Sequence, residues 1–184
     1  DLSEYNLGPS HNTTQLIDKG QAIYIKTDIT NKNSLSDALK KMESKFGHPY
    51  GLINNAGLDS PPHSSSNSNG PFEDYDEDIW NKVIDVNLKG VFLSCQIIGS
   101  AMANNGQGSI INIGSIYGML SPDQRLYEYR KELGEVFFKP IAYSASKSGI
   151  YGLSRYLATY WAKNNVRVNT LTLGGVFNNQ DKEF

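Results

Sequence analysis

The chain has 184 residues, 17 basic against 19 acidic for a formal charge of −2, and 39% hydrophobic residues. That length fits one globular domain and excludes a miniature protein or a disordered tail, and the near-balanced charge gives no electrostatic reason to expect nucleic acid or an anionic membrane as a partner. The single cysteine excludes an internal disulfide, no stretch approaches the ~18 to 20 apolar residues of a membrane span, and Asp1-Leu2-Ser3-Glu4 lacks the basic end and apolar run of a signal peptide, so a soluble cytoplasmic protein is expected.

Ala22-Ile23-Tyr24-Ile25 is predicted as a short strand ending at Asp28-Ile29-Thr30. The next run places Leu35, Ala38, Leu39, Met42 and Phe46 on one helical face, with Ser34 to cap it and Gly47 then Pro49 to stop it. Leu52-Ile53 is a second strand that runs into Asn54-Asn55-Ala56-Gly57, and from Leu58 to Asp74 the Pro, Ser, Asn and Gly content is that of a surface loop. A long helix spans about Glu77 to Asn104. Its stripe of Trp80, Val83, Ile84, Asn87, Leu88, Val91, Cys95 and Ile98 puts an amide among buried positions and makes the lone thiol a small buried hydrophobe. Ser109 to Ile113 is a third strand, ending at Gly114-Ser115. Residues 119 to 140 are irregular, a second long helix runs from about Tyr143 to Lys163, and Val166 to Leu171 is the last strand.

Strands alternating with helices predict an α/β fold, a doubly wound parallel sheet with helices on both faces and ligands beyond the carboxyl ends of its strands. No repeat or linker divides the chain, so residues 1–184 form a single domain. His11, His48 and His63 fall in loops without ligand spacing, and no metal is expected.

Tyr143-x-x-x-Lys147 puts a phenol and an ammonium one helical turn apart. A tyrosine acting near neutral pH needs its pKa lowered by about 3 units from ~10, roughly 4 kcal/mol, and an adjacent cation supplies part of that. Tyr127 and Lys131 form a second such pair, but in a charged, irregular segment. Tyr143-Ser144-Ala145-Ser146-Lys147-Ser148-Gly149 is instead a run of small residues opening a long helix, which lets a flat ligand approach the backbone. Ser115, directly after an apolar strand, reads either as a turn residue or as a hydroxyl projecting at the carboxyl end of the sheet. Asn87 must have hydrogen-bond partners if buried, and tying its helix to a neighbouring strand is one way to find them.

Together Asp28-Ile29-Thr30, Asn54-Asn55-Ala56-Gly57, Asp85-Val86-Asn87-Leu88-Lys89-Gly90, the strand ending at Ser115, Tyr143 to Lys147, and Arg167-Val168-Asn169 running to Gly174-Gly175-Val176 resemble the short-chain dehydrogenase/reductase family. The resemblance spans roughly residues 20 to 178. It implies a Rossmann-like fold and an oxidoreductase that moves a hydride between NAD or NADP and a secondary alcohol or carbonyl. Tyr143 would be the general acid or base and Ser115 would hold the reacting oxygen. Lys147 would lower the tyrosine pKa and hold the nicotinamide ribose, and Asn87 would position a water that relays protons to Lys147. Asp28 with the Ile29 backbone would contact adenine, Asn54, Ala56 and Gly57 would line the adenosine and ribose, and Gly175 and Val176 would meet the nicotinamide carboxamide. The resemblance further implies a homodimer or homotetramer paired through the two long helices. The stretches Ser115 to Gly118 and Gly174 to Gln180 look like a branch tied to bacterial surface-sugar or flagellin-glycan pathways, which points to a polyol or sugar substrate. A 3-oxoacyl-thioester reductase and a non-catalytic dinucleotide-binding protein are the alternatives.

The sequence departs from that family in several places. No glycine-rich phosphate-binding turn precedes Asp28, and in the strand order 3-2-1-4-5-6 two strands belong between those ending at Asp28 and Asn54, a gap of about 14 Å. The expectation is a piece of a longer polypeptide, with N-terminal strands and a C-terminal strand lying outside it. Asp1 falls where an acidic residue would bind the adenosine 2′-hydroxyl, which favours NAD over NADP. Leu173-Gly174 replaces a usual Pro-Gly. The Ser115 to Tyr143 interval of 28 residues is roughly double the usual because of an insert at about 119–140. That insert is expected over the active-site mouth, with Tyr117, Tyr127, Tyr129, Phe137 and Phe138 as stacking surfaces and Arg125 and Arg130 for phosphate or carboxylate.

Overall fold

Ile110, Asn112 and Gly114 alternate with Ser109, Ile111 and Ile113, the two-residue period of a strand with two distinct faces. In the computed structural model, which describes residues 12–58 and 69–175, this run is the central strand β2 (Gly108–Ser115), between β1 (Gly51–Asn54) and β3 (Val166–Leu173). All pairings are parallel, with Asn54 opposite Asn112 and Asn112 opposite Thr170. Parallel neighbours need long crossovers, and two helices supply them: α3 (Glu77–Asn104) between β1 and β2, and α5 (Ile141–Tyr160) between β2 and β3. The Rossmann-like α/β expectation is met.

Both long helices lie over the sheet face that carries Ile110, Val166 and Val168. With Val91, Cys95, Met102, Ile150 and Trp161 these residues form the core. Ile110, Met102 and Ile150 are fully buried, each worth roughly 1.5–3 kcal/mol of apolar transfer. On the opposite face Ile53 and Leu171 are 64% and 51% exposed.

Among the described residues three further α-helices are α1 (Asn12–Asp18), which the sequence reading lacked, α2 (Lys32–Phe46), and the short α4 (Tyr129–Glu132). Several expectations need correction. Residues 22–28 form no strand, because no described strand lies beside them to complete a hydrogen-bonded ladder. The cap of α2 is Asn31, whose side chain accepts the Asn33 and Ser34 N–H groups, while the Ser34 hydroxyl accepts the Asp28 N–H. Gly47 does end that helix, at φ 79°, a conformation that glycine adopts without a Cβ clash. On the predicted apolar face Leu35 is buried but Phe46 is 48% exposed. The 119–140 segment holds a 3₁₀ turn over Gln124–Tyr127 as well as α4. By length and composition α3 would suffice to cross a membrane, contrary to the reading that no stretch approaches this, but half of its most apolar window is buried inside the protein.

Cys95 is 1% exposed, with its sulfur near the Asn54 and Asn112 amides. Burial pushes its thiol from 9.0 up to about 12. Below about pH 9 both folded and unfolded thiols keep the proton. Between 9 and about 12 only the folded one does, so this group's contribution to stability is lost as pH rises through that window. Iodoacetamide at pH 8 is therefore expected to leave the native protein unmodified and to alkylate it fully once unfolded in urea, as read by mass spectrometry; alkylation of the native protein at the unfolded rate would refute the buried assignment.

Candidate active site

At its carboxyl end β2 turns sharply against α5. Ser115 is buried, and its Oγ accepts the Tyr117 N–H at 3.2 Å. The Tyr151 hydroxyl donates to the Ser115 carbonyl at 2.9 Å and also pairs with Thr172 Oγ1, while the Ser148 hydroxyl donates to the Gly118 carbonyl at 2.9 Å. A Cβ at Gly118 would lie 2.7 Å from the Lys147 carbonyl carbon. Only a glycine lets the turn close this tightly on the backbone of Lys147.

Lys147 projects from the second turn of α5 and is 7% exposed. Its Nζ donates to the Ile113 carbonyl of β2 at 2.8 Å and lies 5.7 Å from the Tyr143 ring centroid. Burying an ammonium is costly unless its N–H groups find acceptors, and the strand carbonyl is one. Tyr143 is half-buried one turn earlier. A second ammonium, that of Lys139, lies 4.8 Å from the same ring and 5.8 Å from the ring of Tyr117.

Asn87 sits in a π-helical turn of α3 over Asp85–Lys89, a geometry often found at functional sites. Its Oδ1 accepts the Leu58 N–H at 2.6 Å, and its Nδ2 donates to the Leu58 carbonyl at 3.0 Å and to Ser146 Oγ at 3.2 Å. The amide thus holds the segment after β1 against α3 and α5, with a loop residue and a helix as its partners rather than the neighbouring strand that the sequence suggested. Gly57 is brought so close that a Cβ there would be 3.3 Å from Asn87 Oδ1 and 3.9 Å from Lys147 Nζ.

The structure therefore gathers Asn87, Tyr143, Lys147, Gly57 and the end of β2 at Ser115. Other candidates stand apart from that cluster. Asp28 accepts the Thr30 N–H and hydroxyl at 2.9 and 2.7 Å, which holds its carboxyl below the ordinary value of 3.8. Ile29 packs where a Cβ on Gly90 of α3 would stand. Asn54 buries its amide against Asn112 at 2.8 Å, so its side chain faces the interior. Ala56 is exposed after β1, and Gly175 is exposed after β3. Asp1 and Val176 lie outside the described residues.

Tyr127 is not on the helix of Tyr143. It is 7% exposed in the 3₁₀ turn, its hydroxyl 3.2 Å from that of Tyr117 and its ring 4.8 Å from Phe137. The two arginines of the insert are engaged within it: Arg130 is buried and pairs with Glu135 at 3.1 Å, and exposed Arg125 pairs with Asp123 at 2.6 Å. That pairing holds the Asp123 carboxyl at about 2.

Sequence reasoning missed two features. One is a cleft of about 530 Å³ between the insert, residues 70–75 and the first turns of α5, whose lining includes Tyr75, Leu120, Phe138, Lys139 and Ser144. The signal for it was Lys139-Pro140 at the entry of the helix. The other is a hydrogen-bonded row of Asn54, Asn112, Ser154 and Thr170 between the three strands and α5.

A family model for short chain dehydrogenase matches residues 4–131 and 133–183. D-threitol dehydrogenase of Mycolicibacterium smegmatis is 30% identical over 155 residues, 84% of this chain and 51% of that protein. NAD-dependent glycerol dehydrogenase of Listeria innocua is 29% identical over 156 residues, 85% of this chain and 52% of that protein. The crystal structure of a short chain dehydrogenase from Leptospira borgpetersenii with bound NAD+ superimposes with a TM-score of 0.79 at 31% identity, over 100% of this chain and 63% of that one. The chain spans about half the length of the curated relatives it matches. With the family model covering nearly every residue and the parallel sheet and helices superimposing as they do, the chain belongs to the short-chain dehydrogenase family.

Proposed function

We propose that the protein is an NAD- or NADP-dependent oxidoreductase that interconverts a secondary alcohol and a carbonyl, acting on a polyol or sugar. The observation that carries this reading is the placement of Tyr143 and Lys147 on successive turns of α5, with Lys147 Nζ bonded to the Ile113 carbonyl and Gly57 beside it.

The residues at the carboxyl ends of the strands suit a dinucleotide. Asn55-Ala56-Gly57 after β1 and Gly174-Gly175 after β3 are small and exposed, and among the described residues, chain neighbours aside, no atom stands within 4 Å of a Cβ built on either Gly174 or Gly175. Ala56, Gly57 and Gly175 would border the cofactor, and Lys147 would hold its ribose. The cofactor supplies the hydride chemistry. Tyr143 exchanges the proton of the reacting oxygen, a role in which the nearby ammonium of Lys147 favours the phenolate. Ser115 orients that oxygen, and Asn87 keeps the Leu58 segment and Ser146 in place around Lys147, beside the water-relay role the family resemblance gives it. Residues 1–184 are read as one nucleotide-binding domain with its insert at 119–140.

The names of the threitol and glycerol dehydrogenases support the polyol class, and the NAD of the Listeria protein and of the Leptospira structure supports NAD. Pairing of subunits through α3 and α5 is part of the proposal. It is supported by Phe92 at 44% exposure on α3 and by the stacked rings of Tyr156 and Tyr160, at 64% and 63%, on α5. A cytoplasmic setting accords with the free thiol of Cys95.

The test is turnover of a panel of polyols, sugars and 3-oxoacyl thioesters by the full-length protein with each cofactor, followed by the absorbance of the reduced nicotinamide. Oxidation of secondary alcohols in the panel is expected. Turnover confined to 3-oxoacyl thioesters would replace the substrate class, and cofactor binding with no turnover at all would replace the enzyme with a binding protein.

A further inference from the structure

Three side chains of α5 donate to three different backbone carbonyls at the carboxyl end of β2. Lys147 Nζ reaches the Ile113 carbonyl at 2.8 Å, the Ser148 hydroxyl reaches that of Gly118 at 2.9 Å, and the Tyr151 hydroxyl reaches that of Ser115 itself at 2.9 Å. Tyr151 stands one turn beyond Lys147, as Lys147 stands one turn beyond Tyr143, so the three lie along one side of the helix. Room for the Tyr151 ring is left on both flanks of the serine. A Cβ on Gly114 would stand 2.9 Å from the Tyr151 hydroxyl oxygen, and one on Gly118 would stand 2.9 Å from its Cε2. Glycines before and after Ser115 are therefore matched to this tyrosine.

The same phenol reaches the neighbouring strand. A carbonyl only accepts, so the one phenolic proton goes to Ser115, and in the contact with Thr172 Oγ1 at 2.8 Å the Tyr151 oxygen accepts. Thr172 pairs with Gly114 in the register and lies two residues before Gly174-Gly175. Tyr151 thus ties together the ends of β2 and β3. Ser115 Oγ accepts the Tyr117 N–H at 3.2 Å, which leaves the serine its own proton to donate to a reacting oxygen. Where that proton points depends on the backbone that carries it, extended at φ −156° and ψ 152° just before the 3₁₀ turn over Ile116–Gly118.

We propose that Tyr151 is a positioning residue, which holds the Ser115 backbone so that the serine hydroxyl meets the substrate oxygen, without itself touching substrate or cofactor. The proposal rests on the oxidoreductase reading above, in which Ser115 orients the reacting oxygen. Lys147 and Ser148 hold the carbonyls on either side, but only Tyr151 bonds to the serine's own peptide group and to β3 at once.

The experiment is Tyr151→Phe in the full-length protein, alone and combined with Ser115→Ala. Phe keeps the ring between Gly114 and Gly118 and removes only the hydroxyl, so circular dichroism should be unchanged. Turnover of an alcohol that the wild-type protein oxidises is expected to show kcat lowered about tenfold, between the few-fold worth of one ordinary hydrogen bond and the ~10²-fold that a 1 Å misplacement can cost, with the KM for cofactor unchanged. On the Ser115→Ala background the same change should cost less than about twofold, because no serine hydroxyl is left to aim. Hydrogen exchange read by mass spectrometry supplies a measure independent of turnover. The Tyr117 N–H is bonded to Ser115 Oγ and the Met119 and Leu120 N–H groups to the Ile116 carbonyl, so residues 116–120 should exchange several-fold faster in Tyr151→Phe while residues 98–104 of α3 keep their rate. A kcat within about twofold of wild type overturns the proposal, as does a tenfold loss repeated in full on the Ser115→Ala background. Faster exchange at 116–120 in a protein that oxidises no alcohol keeps the hold on Ser115 and removes the oxidoreductase. Oxidation by the wild-type protein, with both kcat and exchange indifferent to Tyr151→Phe, does the reverse.

Discussion

Substitution of Tyr143 by Phe is expected to lower kcat by about 10²- to 10⁴-fold, the range that a positioned general acid or base contributes, while binding of the nicotinamide cofactor holds. Phe keeps the ring, so the ammonium groups of Lys139 and Lys147 retain the face they lie near, at 4.8 and 5.7 Å from its centroid. Only the hydroxyl goes. The comparison that gives the result meaning is Tyr127→Phe, because Tyr127 and Lys131 reproduce the same four-residue spacing. Tyr127 is buried in the 3₁₀ turn, with its hydroxyl 3.2 Å from that of Tyr117. Its loss should cost about 1 kcal/mol of stability, one ordinary hydrogen bond, and change kcat by no more than a few-fold. Steady-state kinetics and a cofactor titration on both variants check the pair. A Tyr143→Phe enzyme within a few-fold of wild type, or a Tyr127→Phe enzyme disabled like the other, would reverse the assignment.

What could be read from the sequence divides along physical lines. The stripe through Asn87 and Cys95 is a periodicity, and the small-residue run from Tyr143 to Lys147 is a local composition; neither needs a distant partner to be seen. Both signals are set by neighbours along the chain, so the two long helices, and the buried face of the first, stood out. The strand expected at Ala22 to Ile25 failed because a ladder needs a neighbour, which no local pattern can supply. The cap of α2 moved from Ser34 to Asn31 because both side chains can accept an N–H, and the backbone conformation of Asn31, φ −114° and ψ 115°, decided between them. The insert looked irregular because what orders it joins residues distant in sequence: Tyr127 with Phe137, Arg130 with Glu135, and Phe138 with Asn69.

The 39% hydrophobic content, low for a chain that builds a covered parallel sheet, has a partial account in the structure. A row of polar side chains crosses the buried face of the sheet where the pattern alone would predict aliphatic ones. Asn54 Nδ2 donates to Asn112 Oδ1 at 2.8 Å, Asn112 Nδ2 donates to Ser154 Oγ of α5 at 2.9 Å, and the Thr170 hydroxyl meets that same Oγ at 2.8 Å. The register places Asn54, Asn112 and Thr170 side by side on the three strands. A satisfied network of this kind favours one seating of the helix over others, since any shift leaves buried groups unpaired.

That seating bears on the site. Ser154 stands two turns beyond Lys147 on α5, and Lys147 is itself bonded to Ile113, the residue after Asn112. The two anchors fix α5 to β2, and with it the position of Tyr143. Asn112→Leu keeps the number of side-chain heavy atoms but leaves Asn54 Nδ2 with only the Cys95 sulfur at 3.4 Å and removes a partner from Ser154. At ~1–3 kcal/mol for each buried group left unmet, the expected loss is about 3–5 kcal/mol, a large fraction of the 5–15 kcal/mol that holds a typical domain folded. Urea denaturation should show a lowered midpoint with an unchanged slope. Ser154→Ala alone should cost less, because it removes the hydroxyl that Asn112 and Thr170 share while leaving the bond between Asn54 and Asn112 intact. Adding Ser154→Ala to Asn112→Leu should then cost less than the sum of the two single changes, with a coupling of about 0.5–3 kcal/mol. Strictly additive losses, or a destabilisation by Asn112→Leu below about 1 kcal/mol, would show that the row is incidental to the packing of α5. A coupled loss accompanied by a fall in kcat at full cofactor occupancy would tie the polar row to the positioning of Tyr143 and Lys147.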